Sequence, residues 1–172
     1  MDLKWKDRWI NPKAEPRPSK IHGMGVFAKE TIKKGEVIEV LGGVIVPHSE
    51  YKEYEKIMGT LGGRISDEFW MCPPSKDVYK TGVINHSCEP NIGFRSTVEL
   101  VAIKEIAADQ EVLCDYGFYS TEITICACGS KNCRGKVTPE DWKLKSLQDK
   151  YLEYFSPYLK EKIKAARVTK PG

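Results

Sequence analysis

Apolar residues along most of this chain come in short bursts, and only near its end do they take up helical spacing. The runs Val37-Ile38-Glu39-Val40-Leu41 and Val44-Ile45-Val46, separated by Gly42-Gly43 and closed by Pro47, predict two short strands. Ile92 and Phe94 alternate, as do Val98, Leu100 and Ala102. The intervening Ser96-Thr97 predicts a hairpin. One helix interrupts this region, with Ser49 as N-cap, Tyr51, Tyr54, Ile57 and Met58 on one face, and Gly59 as the stop. After residue 137 the period changes. Thr138-Pro139-Glu140-Asp141 reads as a capping-box-like start with proline at the first helical position. Leu144, Leu147, Tyr151, Tyr154 and Phe155 follow at helical spacing, and Ser156-Pro157 restarts a second short helix whose apolar face is Leu159 and Ile163. No internal repeat shows, and helix-length segments do not separate the strands. The expected class is therefore α+β, mostly β, with a C-terminal helical appendage rather than an alternating βαβ sheet.

The first residues are proline-rich and charged, with Trp5, Trp9 and Ile10 as large apolar groups; they predict an irregular lead-in with a short docked piece near Trp9. With 172 residues, 41% hydrophobic and 30% charged, the chain suits one domain with an appendage and excludes wholesale disorder. Its 27 basic and 24 acidic residues leave +3, so charge gives no argument for direct nucleic-acid binding. The five basic groups between Lys160 and Lys170 read as a solvated helix face and tail. No apolar run approaches the roughly 18 residues of a membrane span, and the start lacks the apolar core of a signal peptide. A reducing, cytoplasmic setting is the expectation, so the six cysteines are read as thiols or metal ligands rather than disulfides.

Three segments carry candidate chemistry. Gly23-Met24-Gly25-Val26-Phe27-Ala28 has the form G-x-G-x-x-A, but only six residues precede Gly35 and a β-branched run. The long helix that a dinucleotide fingerprint needs has no room, and a tight turn between short strands is the better reading. Asn85-His86-Ser87-Cys88-Glu89-Pro90-Asn91 packs polar groups directly after Val83-Ile84; such a segment caps turns or lines a site. A Cys/His nucleophile is disfavoured, because no third group is evident to orient His86. Cys126-Ala127-Cys128-Gly129-Ser130-Lys131-Asn132-Cys133 is C-x-C-x4-C, three thiols around a glycine turn, and argues for tetrahedral zinc. Spacing leaves the fourth ligand open among Cys72, Cys88, Cys114 and the three histidines.

Taken in order, the glycine turn, Asn85-His86-Ser87-Cys88 with Pro90-Asn91, Glu111-Val112-Leu113-Cys114-Asp115-Tyr116-Gly117 and C-x-C-x4-C resemble a SET-domain protein-lysine N-methyltransferase with a post-SET zinc motif, small and microbial in type. The resemblance covers roughly residues 18 to 137, and the segment from Trp142 to Leu159 is more loosely similar to the helical tail of small bacterial members. It divides the chain into a lead-in (1–17), a SET domain (18–118), a post-SET zinc segment (119–137) and a C-terminal tail (138–172). It implies small β-sheets in which the Asp115-Tyr116 segment threads under a loop as a pseudoknot. S-adenosylmethionine would occupy one pocket, and a lysine would enter from the opposite face through a narrow channel.

By the same resemblance, the backbone at His22, Gly23 and Met24 holds the methionine part of the cofactor, Asn85 its amino group and the His86 main chain its adenine. Cys88 completes a structural zinc site with Cys126, Cys128 and Cys133. Tyr116 is the catalytic tyrosine, also in contact with the cofactor; Cys114 faces the lysine channel, and Phe118 and Tyr119 are candidates for its wall, with core packing as the alternative. Position 114 usually holds an aromatic that tunes how many methyls fit. Three other positions depart from the family's pattern: Gly82-Val83-Ile84 replaces the usual lead into the asparagine motif, Asp109 a turn glycine, and Lys136-Val137 a tryptophan often found past the last zinc cysteine. The implied partner is a protein presenting a lysine, a histone or another basic protein, in the nucleus if the substrate is chromatin. The alternative is a zinc-stabilised SET-like binding module with little or no catalysis.

Overall fold

The computed structural model describes residues 8–59, 62–119 and 124–168. Trp5, the rest of the lead-in before Arg8, and Lys170 in the basic tail lie outside the described residues. The docked piece near Trp9 is a strand, β1 (Trp9–Ile10), and it is followed by β2 (Ala14–Pro18), β3 (Met24–Ala28) and β4 (Val37–Val40). Next come β5 (Val44–Pro47), α1 (Tyr51–Met58), β6 (Gly63–Arg64) and β7 (Phe69–Cys72). The chain continues with β8 (Asn85–His86), β9 (Ile92–Phe94), β10 (Glu99–Ala102) and β11 (Leu113–Cys114). A small ribbon of β12 (Thr124–Ile125) and β13 (Lys136–Val137) precedes the helices α2 (Lys145–Tyr151) and α3 (Pro157–Val168). None of the described helices is long and apolar enough to cross a membrane.

Among the described residues the strands form four separate sheets, the largest ordered β1-β4-β10-β9-β11-β8. The predicted hairpin is β9–β10, pairing Leu100 with Phe94 and Ala102 with Ile92. The two β-branched runs do not pair with each other: β4 joins the large sheet and β5 joins a three-stranded sheet ordered β5-β7-β6. Gly43 makes this parting feasible. Its φ of +142° is open to glycine, and a Cβ there would collide with the Cys72 carbonyl oxygen.

β11 runs parallel to both neighbours and lies between β8 and β9, beneath the loop that joins them. The N–H of Ser87 donates to Cys114 O and that of Asn91 to Leu113 O, each at 3.0 Å. This is the threaded arrangement expected of residues 85–91 and 113–116. The turn before it holds Asp109 at φ +66°, the left-handed geometry that an aspartate tolerates where the family has glycine.

Two helix starts differ from the pattern-based reading. The cap of α1 is Glu50 rather than Ser49, and Ile57 is 60% exposed, so that the buried contact is Tyr51 stacked on Trp70 at 3.7 Å. Thr138 does not launch α2. Its N–H and hydroxyl both donate to Asp141 Oδ1, closing a short 3-10 turn (Asp141–Lys143), and α2 begins only after Leu144. The second restart at Ser156-Pro157 is as expected, with Leu159 and Ile163 buried. These helices and the connection between them pack Leu147, Phe155, Leu159 and Ile163 into the main core beside Ile92, Phe94 and Val112.

Candidate active site and metal centre

Sequence order places the polar residues far apart, and the threading of β11 brings them together. Asn85 and His86 form β8, and Cys114 ends the strand beside them, so Asp115 and Tyr116 emerge directly against the His86 ring. The Tyr116 N–H donates to His86 Nδ1 at 3.1 Å. With Nδ1 accepting, the neutral ring carries its proton on Nε2, which lies 3.4 Å from Cys88 Sγ. Burial pushes the His86 pKa down and so favours that neutral form.

Cys88, Cys126, Cys128 and Cys133 bring their sulfurs within 4.8 Å of one another. Four sulfurs at the usual zinc distance of about 2.3 Å stand about 3.8 Å apart in a tetrahedron. Cys88 to Cys126 is 3.8 Å and Cys126 to Cys133 is 3.5 Å. The backbone N–H groups of Arg134 and Gly135 donate to the sulfurs of Cys88 and Cys133 at 3.3 and 3.4 Å, which suits thiolates. Burial opposes ionisation at Cys128, but hydrogen bonds from the Cys88 backbone and from Ser130 prevail and lower its pKa to about 6. All six cysteines are free thiols, and donor chemistry and spacing at these four fit zinc. Cys72 is buried beneath Trp70 in a separate small core, where burial raises its pKa to about 12, and Cys114 is buried in β11; neither joins the cluster.

Arg134, between Cys133 and Gly135, was not singled out by motif. Its guanidinium grips the fully buried Asp115 with two bonds of 2.7 Å and Asp141 with one of 3.0 Å. Asp115 also accepts the Gly117 N–H at 2.9 Å, shaping the 3-10 turn Tyr116–Phe118. One arginine thus joins the cysteine loop, the tyrosine segment and the start of the helical tail. An arginine directly after the last cysteine was the only sequence signal for it.

On one side of Tyr116 lies a groove of about 1430 Å³ between the large sheet and the three-stranded sheet. Ile84, Cys114, Tyr116 and Tyr119 line it from one side, Arg64 and Met71 from the other. The Tyr116 hydroxyl donates to Ile84 O at 2.9 Å, and burial raises its pKa, keeping the phenol protonated. Tyr119 lies 5.5 Å from Tyr116 between ring centres. Phe118 does not share this wall. The 3-10 turn swings it to the opposite side, where it is fully buried against Tyr151 and Phe155.

His22, Gly23 and Met24 are not on the groove either. They form the turn into β3, with Gly23 at φ +50°, and the His22 carbonyl accepts from Asn85 Nδ2 at 3.0 Å. The Cβ position of Gly23 is open, whereas a Cβ at Gly25 would collide with Glu111. Tyr116 therefore stands between the groove and the Asn85–His86 side. The Asn85 amide, the glycine-turn backbone and the open space over Gly23 fit the amino-acid end of S-adenosylmethionine.

The family model of the SET domain matches residues 23–117. The chain is 36% identical to histone-lysine N-methyltransferase TRX1 of Oryza sativa subsp. japonica, over 69% of this chain and 13% of the relative. It is 33% identical to histone H3-lysine(4) N-trimethyltransferase ATX1 of Arabidopsis thaliana, over 69% of this chain and 12% of that protein. It is 31% identical to the H3 lysine-4 specific histone-lysine N-methyltransferase of Saccharomyces cerevisiae, over 68% and 12%. The chain thus spans about an eighth of the length of these relatives.

Proposed function

Because this chain belongs to the SET-domain family, we propose that it transfers methyl groups from S-adenosylmethionine to the ε-amine of a lysine in a protein substrate. The observation that carries the reading is the place of Tyr116, with its hydroxyl on the groove and its backbone tied to the Asn85–His86 side. Names of the relatives favour a histone, and another basic protein is the wider class. A chromatin substrate implies the nucleus.

Asn85 and the backbone at His22–Met24 would hold the amino-acid end of the cofactor and the His86 main chain its adenine, and the cofactor supplies an electrophilic methyl on sulfur. The chain's own task is to deliver a neutral amine in line with that methyl. Deprotonating a free lysine of pKa near 10.4 at pH 7 costs about 4.6 kcal/mol. An apolar wall of Ile84, Cys114 and Tyr119 lowers that cost by disfavouring the ammonium. The Tyr116 proton is committed to Ile84 O, so its oxygen accepts an N–H from the incoming amine. That contact turns the amine's lone pair away from Tyr116 and toward the cofactor side. Alignment of this kind is worth several kcal/mol of barrier. Zinc on Cys88, Cys126, Cys128 and Cys133 would be structural, holding the loop from which Arg134 reaches Asp115.

The test is transfer of tritium from methyl-labelled S-adenosylmethionine into histones, ribosomal proteins and total cell lysate. Label on lysine that falls strongly with Tyr116→Phe is the expected result. Cofactor binding with no transfer to any of these proteins would favour the binding-module alternative.

A further inference from the structure

Glu111 lies two residues before β11, under the glycine turn. Its main chain is pinned by Asn91, whose Nδ2 donates to Glu111 O and whose Oδ1 accepts from Leu113 N, both at 2.7 Å. The side chain is equally fixed. Ser19 Oγ accepts the Ile21 N–H at 2.9 Å, and its own proton goes to Glu111 Oε2 at 3.0 Å. Glu111 Oε1 accepts from Asn85 Nδ2 at 2.8 Å and occupies the space that a Cβ on Gly25 would fill.

These contacts decide which way the Asn85 amide faces. Its NH2 lies between a carboxylate oxygen and the His22 carbonyl, 2.8 and 3.0 Å away. Both are acceptors only, so both amide protons are spent there and the amide cannot turn over. Oδ1 is left without a hydrogen bond among the described residues, although Asn85 is buried. A free amide oxygen backed by a carboxylate and a main-chain carbonyl is suited to a cation with N–H donors.

We propose that Glu111 is a positioning residue that locks the Asn85 amide oxygen outward and so makes this corner a site for a primary ammonium. Resting on the reading of the site given above, that ammonium is the α-amino group of S-adenosylmethionine, and Glu111 sets the enzyme's preference for cofactors that carry it. A neutral glutamine at 111 has an NH2 of its own to offer. It removes the charge and lets the Asn85 amide adopt either orientation.

The test is calorimetric binding of S-adenosylhomocysteine and of its analogue with hydrogen in place of the α-amino group, to the wild-type chain and to Glu111→Gln. The wild-type chain is expected to prefer the amino compound by roughly 10- to 100-fold, the size of a hydrogen bond to a charged group. Glu111→Gln is expected to lose most of that preference by weakening the amino compound alone. Ser19→Ala, which frees only one carboxylate oxygen, is expected to show a smaller loss in the same direction, and it serves if Glu111→Gln does not fold. Equal weakening of both compounds would reduce Glu111 to a structural role, and an unchanged preference would remove it from the site. Wild-type chain binding neither compound would overturn the proposed function itself, and this inference with it.

Discussion

Around Tyr116, buried polar groups are held by specific partners: Asp115 by Arg134, His86 by Tyr116 and Cys88, and the Asn85 NH2 by His22 and Glu111. Across the groove, the β5-β7-β6 sheet is held by ladder bonds and a small core of Val46, Tyr51, Trp70 and Cys72, with part-buried side-chain bonds from Trp70 Nε1 to His48 Nδ1 and from the Tyr54 hydroxyl to Pro73 O. Val44, Ile45 and Phe69 remain exposed on it. The first region works only with particular atoms in place, because an unpaired buried group there costs kilocalories. The second needs a shape and some apolar area, and many sequences meet that need.

Metal removal should separate the two regions most sharply. One zinc per chain is expected, and structural zinc carries binding energy of order 10 kcal/mol that is lost on chelation. Hydrogen exchange after chelator treatment should show residues 126–137 losing protection and cofactor affinity falling, while β5 and β7 keep theirs. Elemental analysis without zinc, together with full activity in chelator, would break the comparison.

A smaller effect is expected at Arg134. Arg134→Ala leaves Asp115 charged and buried with no cation, so unfolding free energy in urea should fall by about 3–5 kcal/mol. Arg134→Lys should recover only part of this, since an ammonium cannot reproduce the forked grip. An alanine variant as stable as the wild-type chain would mean that the clamp is not holding the tyrosine segment.

The smallest change in stability, and a change in product instead, is expected at Cys114. A cysteine on the groove leaves room that an aromatic would fill, so di- and trimethyl-lysine should accumulate. Cys114→Tyr should shift the product toward monomethyl without abolishing activity, at an overpacking cost of about 1–3 kcal/mol. Mass spectrometry of a peptide substrate at long reaction times reads this directly, and a wild-type chain that stops at monomethyl-lysine would contradict it.

What could be read from the sequence follows the same division. Cys126, Cys128 and Cys133 stand out by their spacing alone, whereas Asn85, His86, Cys88 and Tyr116 stand out only through the order of motifs that resembles the SET family. Arg134 does not stand out. Its role exists only once folding brings Asp115 and Asp141 to it, and by itself it reads as one more surface charge. Phe118 misleads for a local reason, since strand alternation would send it toward the groove with Tyr116, whereas the 3-10 turn rotates it into the helical core. Likewise Thr138 carries a helix-start pattern, but Asp141, already held by Arg134, turns its carboxylate back and closes a shorter turn. The partition of the two β-branched runs into different sheets was hidden too, because Gly42-Gly43 suits a hairpin as well as a parting of strands.

In the proposed reaction Tyr116 acts on the amine and Asn85 on the cofactor. Binding of S-adenosylmethionine and single-turnover methyl transfer, measured side by side for Tyr116→Phe and Asn85→Ala, test that division directly. Tyr116→Phe should hold cofactor affinity within about twofold while transfer slows by about 100-fold, and Asn85→Ala should weaken binding first. Wild-type transfer by Tyr116→Phe on a lysine substrate would contradict the account.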